Sequence, residues 1–145
     1  MARIESNVRV SKTIGEVFAF LDNAQNHAKF IPNMAEFKQT SSSAFGQPGA
    51  TAQGYLRYFG IMKIEVSYEI IEHEPDHKFA MKGKMGPVKF KDGYILTANE
   101  NGTRINFWLE LNPTGWTTVF RPFAGLIGRI HAWETLRNMK REIYK

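Results

Sequence analysis

PFAGLIGRIHAWETLRNMKREIY, residues 122–144, is the most informative element of the chain. Projected at a helical period, Gly125, Gly128, Ala132, Leu136, Met139 and Ile143 form one narrow stripe, small residues first and large ones last. Pro122 suits the first turn of a helix, where its missing N–H costs nothing. The helix predicted from there to about Tyr144 is roughly 33 Å long, enough to cross a domain. If the stripe faces a sheet, the Leu136 to Ile143 end seals a core and the Gly125 to Gly128 end leaves space. Two glycines inside a helix cost about 1 kcal/mol each relative to alanine, so open space or a close backbone contact must explain them. From Pro122 to Trp133 only Arg129 and His131 are strongly polar, so this half expects burial on more than one side. The opposite face, Phe123, Leu126, Ile127 and Ile130, needs cover of its own. The first helices, the Ser41 to Gly49 loop, a second copy of the chain or a membrane surface are the candidates.

Upstream of the helix the periodicity is two. Met62, Ile64, Val66, Tyr68 and Ile70 alternate with Lys63, Glu65, Ser67 and Glu69, the strongest strand signal in the chain. Phe59-Gly60 precedes it and Glu74-Pro75-Asp76 follows it as turns. Phe79 and Met81 alternate with Lys78, Lys82 and Lys84. Gly86-Pro87 turns the chain into Val88, Phe90, Tyr94 and Leu96, and the stretch from Asn99 to Gly102 turns it again. Ile105, Phe107, Leu109 and Leu111 oppose Arg104, Asn106 and Glu110 in the last strand. Weaker strands cover about Met34 to Thr40 and Ala50 to Tyr58. Strands in series joined by short turns predict an antiparallel meander with one wet face.

The N-terminus begins the same way, with Ile4, Val8 and Val10 on one face. Thr13 followed by Glu16 is a capping box for a helix carrying Val17, Phe18 and Leu21. Asp22 with Gln25 repeats the signal for a second short helix, which Pro32 stops. The order is therefore strand, two short helices, six strands and one long helix, an α+β arrangement. No other element is large enough to cover the sheet, so the helix must.

A chain of 145 residues makes one domain, 1–145, and buries a sufficient core without staples. There is no cysteine, which excludes disulfide frameworks and thiolate metal sites and fits a reducing compartment. The N-terminal stretch has no apolar signal core and apolar runs such as Val17 to Leu21 are short, so a cytoplasmic location is expected. Net charge is +5, and residues 121–145 hold six Lys/Arg against two Asp/Glu. A second basic cluster is Lys78, Lys82, Lys84, Lys89 and Lys91. No nucleic-acid motif accompanies either patch, so no specific nucleic-acid partner is expected. His73 and His77 with Glu72, Glu74 and Asp76 flank a turn that is polar for backbone reasons, so no metal site is expected, nor any other cofactor.

Thr13-Ile-Gly-Glu-Val-Phe-Ala-Phe-Leu-Asp22, Phe30-Ile-Pro32, Pro48-Gly49, Gly102-Thr-Arg104 and Leu136-Arg-Asn-Met-Lys140 together resemble the START-related superfamily (SRPBCC), in particular its polyketide cyclase/dehydrase and birch-pollen-allergen-like members. Phe30 stands where many relatives carry Trp. The resemblance implies the helix-grip fold, a curved seven-stranded antiparallel sheet wrapped around the long C-terminal helix and an internal cavity. It implies little chemistry, since members include carriers and cyclases.

With that cavity in view, Asp92 shares strand parity with Phe90 and Tyr94, and in an unbroken strand it faces inward as a candidate acid or base. The preferred reading of Asp92-Gly93, however, is a bulge that turns the carboxylate out. Glu134 lies on the helix face of Phe123, Ile127 and Ile130; it is a candidate cavity acid, though surface pairing with Arg137 or Lys140 is the simpler reading. Tyr94 completes the weak catalytic candidates. Trp116, Phe120 and Phe123 are placed at the cavity rim. The expected ligand lining is Tyr68, Phe79, Met81, Phe90, Tyr94, Phe107, Leu109, Gly125, Gly128, Ala132 and Trp133. The expected function is binding of a small hydrophobic or amphipathic ligand (lipid, isoprenoid, quinone or polyketide-like), with a cyclase or dehydratase as the alternative. Transient contact with an anionic membrane, or a homodimer, is expected through the C-terminal helix.

Overall fold

The computed structural model describes residues 3–41, 47–58 and 60–145. Strand β1 (Arg3–Val10) is followed by helices α1 (Ile14–Leu21) and α2 (Ala24–Phe30). Six more strands come next: β2 (Met34–Gln39), β3 (Thr51–Tyr58), β4 (Met62–Glu74), β5 (Lys78–Met85), β6 (Val88–Asn99) and β7 (Gly102–Pro113). A 3₁₀ segment (Gly115–Phe123) leads into the long helix α3 (Ala124–Ile143). The strands form one seven-stranded antiparallel sheet in the order β1-β7-β6-β5-β4-β3-β2, a curved helix-grip arrangement. β1 leaves the meander's sequence order to close on β7, and α3 runs along both strands, with the Tyr144 hydroxyl accepting the Ser11 N–H just past the end of β1.

Local signals explain most boundaries. Thr13 caps α1: its oxygen accepts the Glu16 N–H at 3.2 Å, and its hydroxyl donates to the Glu16 carboxylate at 3.1 Å. The second cap is Asn23, not Asp22 as the sequence suggested, because the Asn23 side chain accepts the Gln25 N–H at 3.0 Å. Asp22 instead stands 2.7 Å from His73 Nε2 and ties the end of α1 to β4. Pro122 does not open the long helix either. It lies inside the 3₁₀ segment, and α3 starts two residues later.

The inner face of the sheet carries Ile4, Val66, Tyr68, Ile70, Phe79, Met81, Tyr94, Leu96, Ile105, Phe107 and Leu109, all buried. α3 lies along β1 and β7 and against α2, with Gly128, Ala132, Thr135, Leu136, Met139 and Ile143 buried, so it is the stripe that faces the sheet. Asn138 Nδ2 donates to the Phe30 carbonyl at 3.2 Å and fixes α3 to α2. Under the short helices, His27, Phe30, Phe37 and Phe79 fill the other side; His27 stacks on Phe37 at 5.1 Å. Its Nε2 lies 2.8 Å from the Leu21 carbonyl, and burial pushes its pKa down to about 4, so Nε2 carries the proton of a neutral ring.

Candidate functional site: the open end of the grip

The register arranges inner-face side chains in rows across the sheet. Phe79, Tyr94 and Phe107 form one row and are fully buried. The next row is Ile70, Met81, Asp92, Leu109 and Ile4. Beyond it come Tyr68, Gly83, Phe90 and Leu111, then Val66, Met85, Val88 and Pro113. Burial falls along most strands in that direction: Phe90, Leu111, Met85, Val88 and Ile64 are only half-buried and Met62 is 51% exposed, while Tyr68, Val66 and Pro113 stay buried. The core is thus packed at one end and open at the other, where α3 begins.

Asp92 sits one row inside this open end. It is 7% exposed, its Oδ1 has no hydrogen-bond partner among the described residues, and burial pushes its pKa up to about 7. The expected bulge at Asp92-Gly93 is absent. Pairing runs unbroken through both residues, and the shifts fall between Met34 and Glu36 and between Ile70 and Glu72. Gly93 is required by packing on the outer face instead, where a Cβ would meet the Trp108 indole at 2.7 Å. Burial, then the Asp92 charge, raises the Tyr68 and Tyr94 phenols well above their usual range. The site therefore offers one carboxyl that changes charge near neutrality and two neutral phenols, all set among Phe90, Met81, Leu109 and Phe37.

The other expected residues divide. Phe79 and Phe107 lie deep in the filled core, and Ala132 is sealed beneath α3. Gly128 does not border open space: a Cβ there would run into Ile4 Cδ1. Gly125 does, with nothing within 4 Å, beside a cleft of about 210 Å³ lined by Ile4, Leu111, Pro113, Arg121 and Ala124. Trp133 points outward, 57% exposed, with the Arg137 guanidinium 5.1 Å above its ring. Among the described residues Glu134 pairs with neither Arg137 nor Lys140, the two partners expected for it. Glu134 is half-buried, and burial, with a small contribution from the Glu134 charge, raises the pKa of the Tyr58 phenol at the end of β3. The expected covering role of the Ser41 to Gly49 loop lies largely outside the described residues. Trp116, Val119, Phe120, Phe123, Leu126, Ile127 and Ile130 are about half exposed or more.

Several rim residues were not anticipated: Tyr58, Ile64, Met85 and Leu111, and His131 on α3, whose pKa burial lowers to about 4. The strand residues share parity with the inner face, so the signal existed; what strand periodicity lacks is which end is covered.

A family model described as polyketide cyclase / dehydrase and lipid transport matches residues 1–143. Among curated proteins none matches the chain. Solved structures share the fold at low identity. A conserved protein from Geobacillus kaustophilus is 16% identical, with a TM-score of 0.78 over 99% of this chain and 95% of that one. Protein CV1439 from Chromobacterium violaceum is 13% identical, with a TM-score of 0.73 over 100% and 99%. The di-domain ARO/CYC StfQ of the steffimycin biosynthetic pathway is 12% identical, with a TM-score of 0.76 over 96% of this chain and 49% of its own.

Proposed function

The chain belongs to the polyketide cyclase / dehydrase and lipid transport family, and from that premise we propose that it binds a small apolar or amphipathic ligand at the open end of the grip. The observation that carries this is the burial gradient along β4 to β7, ending one row above a buried carboxyl whose Oδ1 has no hydrogen-bond partner among the described residues. Half-exposed Phe90, Leu111, Met85 and Ile64 supply apolar area, and Asp92 with Tyr68 and Tyr94 supplies the polar anchor that orients a ligand's head. A lipid, isoprenoid, quinone or polyketide-like molecule has this distribution of polarity. Native mass spectrometry of the purified protein tests the proposal: a bound small molecule of that class is expected, released on denaturation.

A second reading is a cyclase or dehydratase, favoured by Asp92 alone. A carboxyl with a pKa near 7 beside two phenols suits proton transfer at neutral pH. Turnover lost in Asp92→Asn, with binding retained, separates the enzyme from the carrier.

As one domain over 1–145, in the cytoplasm, this carrier needs a donor and an acceptor for its ligand. The exposed apolar residues from Trp116 to Trp133 alternate with Arg121 and Arg129, and Arg137, Lys140 and Arg141 follow. Aromatic and aliphatic side chains beside cations suit the interface of an anionic membrane. Charge favours this surface over a second copy, since a symmetric pairing of two such helices brings like charges together.

A further inference from the structure

The outer face of the sheet holds a basic array that the ligand site does not use. In the β5–β6 register Lys82 stands opposite Lys91, and Lys84 opposite Lys89. The flanking strands complete two rows of different character. One row reads Glu69, Lys82, Lys91 and Glu110, with Arg3 beyond, so acids flank its two lysines. The other reads Ser67, Lys84, Lys89 and Asn112, and carries two positive charges with no acid. Among the described residues none of these four lysines joins an ion pair, whereas Lys12, Lys38, Lys78 and Lys145 each do. The rows line a depression of about 710 Å³, shared with Thr51 and Gln53, that also touches Tyr68 and Phe90 of the strands beneath.

Like charges directly opposite on neighbouring strands are destabilising. The tight turn of Gly86 and Pro87 fixes this register, so Lys84 and Lys89 cannot separate by slipping. In the first row the outer glutamates balance the repulsion. In the second row the flanking groups are a hydroxyl and an amide, which are hydrogen-bond donors but carry no charge.

We propose that the Ser67–Lys84–Lys89–Asn112 row is a binding site for a phosphate dianion carried on a small organic molecule. Two ammonium groups match two negative charges, and the Ser67 hydroxyl with the Asn112 and Gln53 amides donates to the remaining oxygens. The depression is of the size that small-molecule sites occupy, much larger than a bare anion needs. The Ser67, Lys84, Lys89 and Asn112 side chains share the strand parity opposite to that of the apolar mouth, and the charge argument stands independently of the function proposed for that mouth.

Thermal melts and NMR titration with glycerol 3-phosphate test the assignment. At low salt the wild type should melt higher with the phosphomonoester than with sodium chloride of equal ionic strength. Amide shifts should centre on Ser67, Lys84, Lys89 and Asn112. Lys84→Gln should melt higher than wild type without ligand, because a like-charge pair is gone, and should bind at least tenfold more weakly. Lys63→Gln, the same charge change on the outer face outside both rows, should bind as the wild type does. Vesicles containing phosphatidic acid separate a soluble phosphomonoester from a lipid headgroup: retention on vesicles that requires Lys84 and Lys89 assigns the same row to the headgroup. Three results overturn the proposal: chloride reproducing the shift in melting, equal loss in Lys63→Gln, or a single-stranded oligonucleotide binding through these lysines when the phosphomonoester does not.

Discussion

A carboxyl among Phe90, Tyr94, Met81 and Leu109 is easier to bury neutral than charged, and its pKa of about 7 follows from that. In the unfolded chain the same group loses its proton near 3.8. Between those values the folded protein holds the extra proton, so stability falls as pH rises from about 4 to about 7 and stays low above. Asp92→Asn should therefore leave the urea midpoint nearly unchanged at pH 4 and raise it at pH 8, where the gain approaches roughly 4 kcal/mol at most. His27, held neutral with a pKa near 4, acts in the opposite sense and loses its contribution as pH falls from about 6.5. The variant should thus show only a stability loss toward acid. Equal midpoints for both proteins at pH 8 would mean that the carboxylate is solvated. Asp92 was visible from strand parity, but its orientation was not, because Asp-Gly is also a bulge pair. What decided it was Trp108 lying across Gly93, a contact between two strands that no local pattern encodes.

At the scale of the element, α3 shows where periodicity succeeds and where it stops. The stripe from Gly125 to Ile143 names the face that meets the sheet, since a helix buries what its period aligns. It does not say what each glycine meets. Gly125 opens on the small cleft, and Gly128 packs on Ile4, so the two should respond with opposite signs. Gly125→Ala, at the second residue of α3, should raise stability, by at most about 1 kcal/mol from helix propensity. Gly128→Leu should lower it by roughly 1–3 kcal/mol through overpacking. Paired thermal melts check both, and a stabilised Gly128→Leu would place the open space at the wrong glycine. The capping residue of α2 and the start of α3 slipped by one and two residues for a similar reason. Asp22 is drawn away to His73 on β4, and Pro122 is accommodated in a 3₁₀ turn before the helix proper.

For the whole molecule, the meander, the two short helices and the covering helix were legible because each depends on local alternation and on one unavoidable burial. The packed and open ends of the grip were not, since they depend on where α3 lies across the strands. The same geometry leaves Ile127 and Ile130 about half exposed beside the mouth. Sedimentation with phosphatidylcholine vesicles should retain the protein only when phosphatidylserine is included. Ile127→Asp with Ile130→Asp should abolish that retention without loss of fold. A dimer in solution that the same double variant dissociates would assign the face to a second copy instead.

On this reading the open end of the sheet's inner face receives an apolar ligand above Asp92. Backbone NMR with an uncharged amphipath, dodecanol, tests it most directly, because an uncharged probe has no attraction for the lysine rows outside. Saturable shifts should appear at Tyr58, Ile64, Met85, Phe90, Asp92 and Leu111, and Phe90→Glu should suppress them. Shifts confined to the exposed Trp116 to Trp133 face, or no saturable shift on the inner strands, would contradict the account.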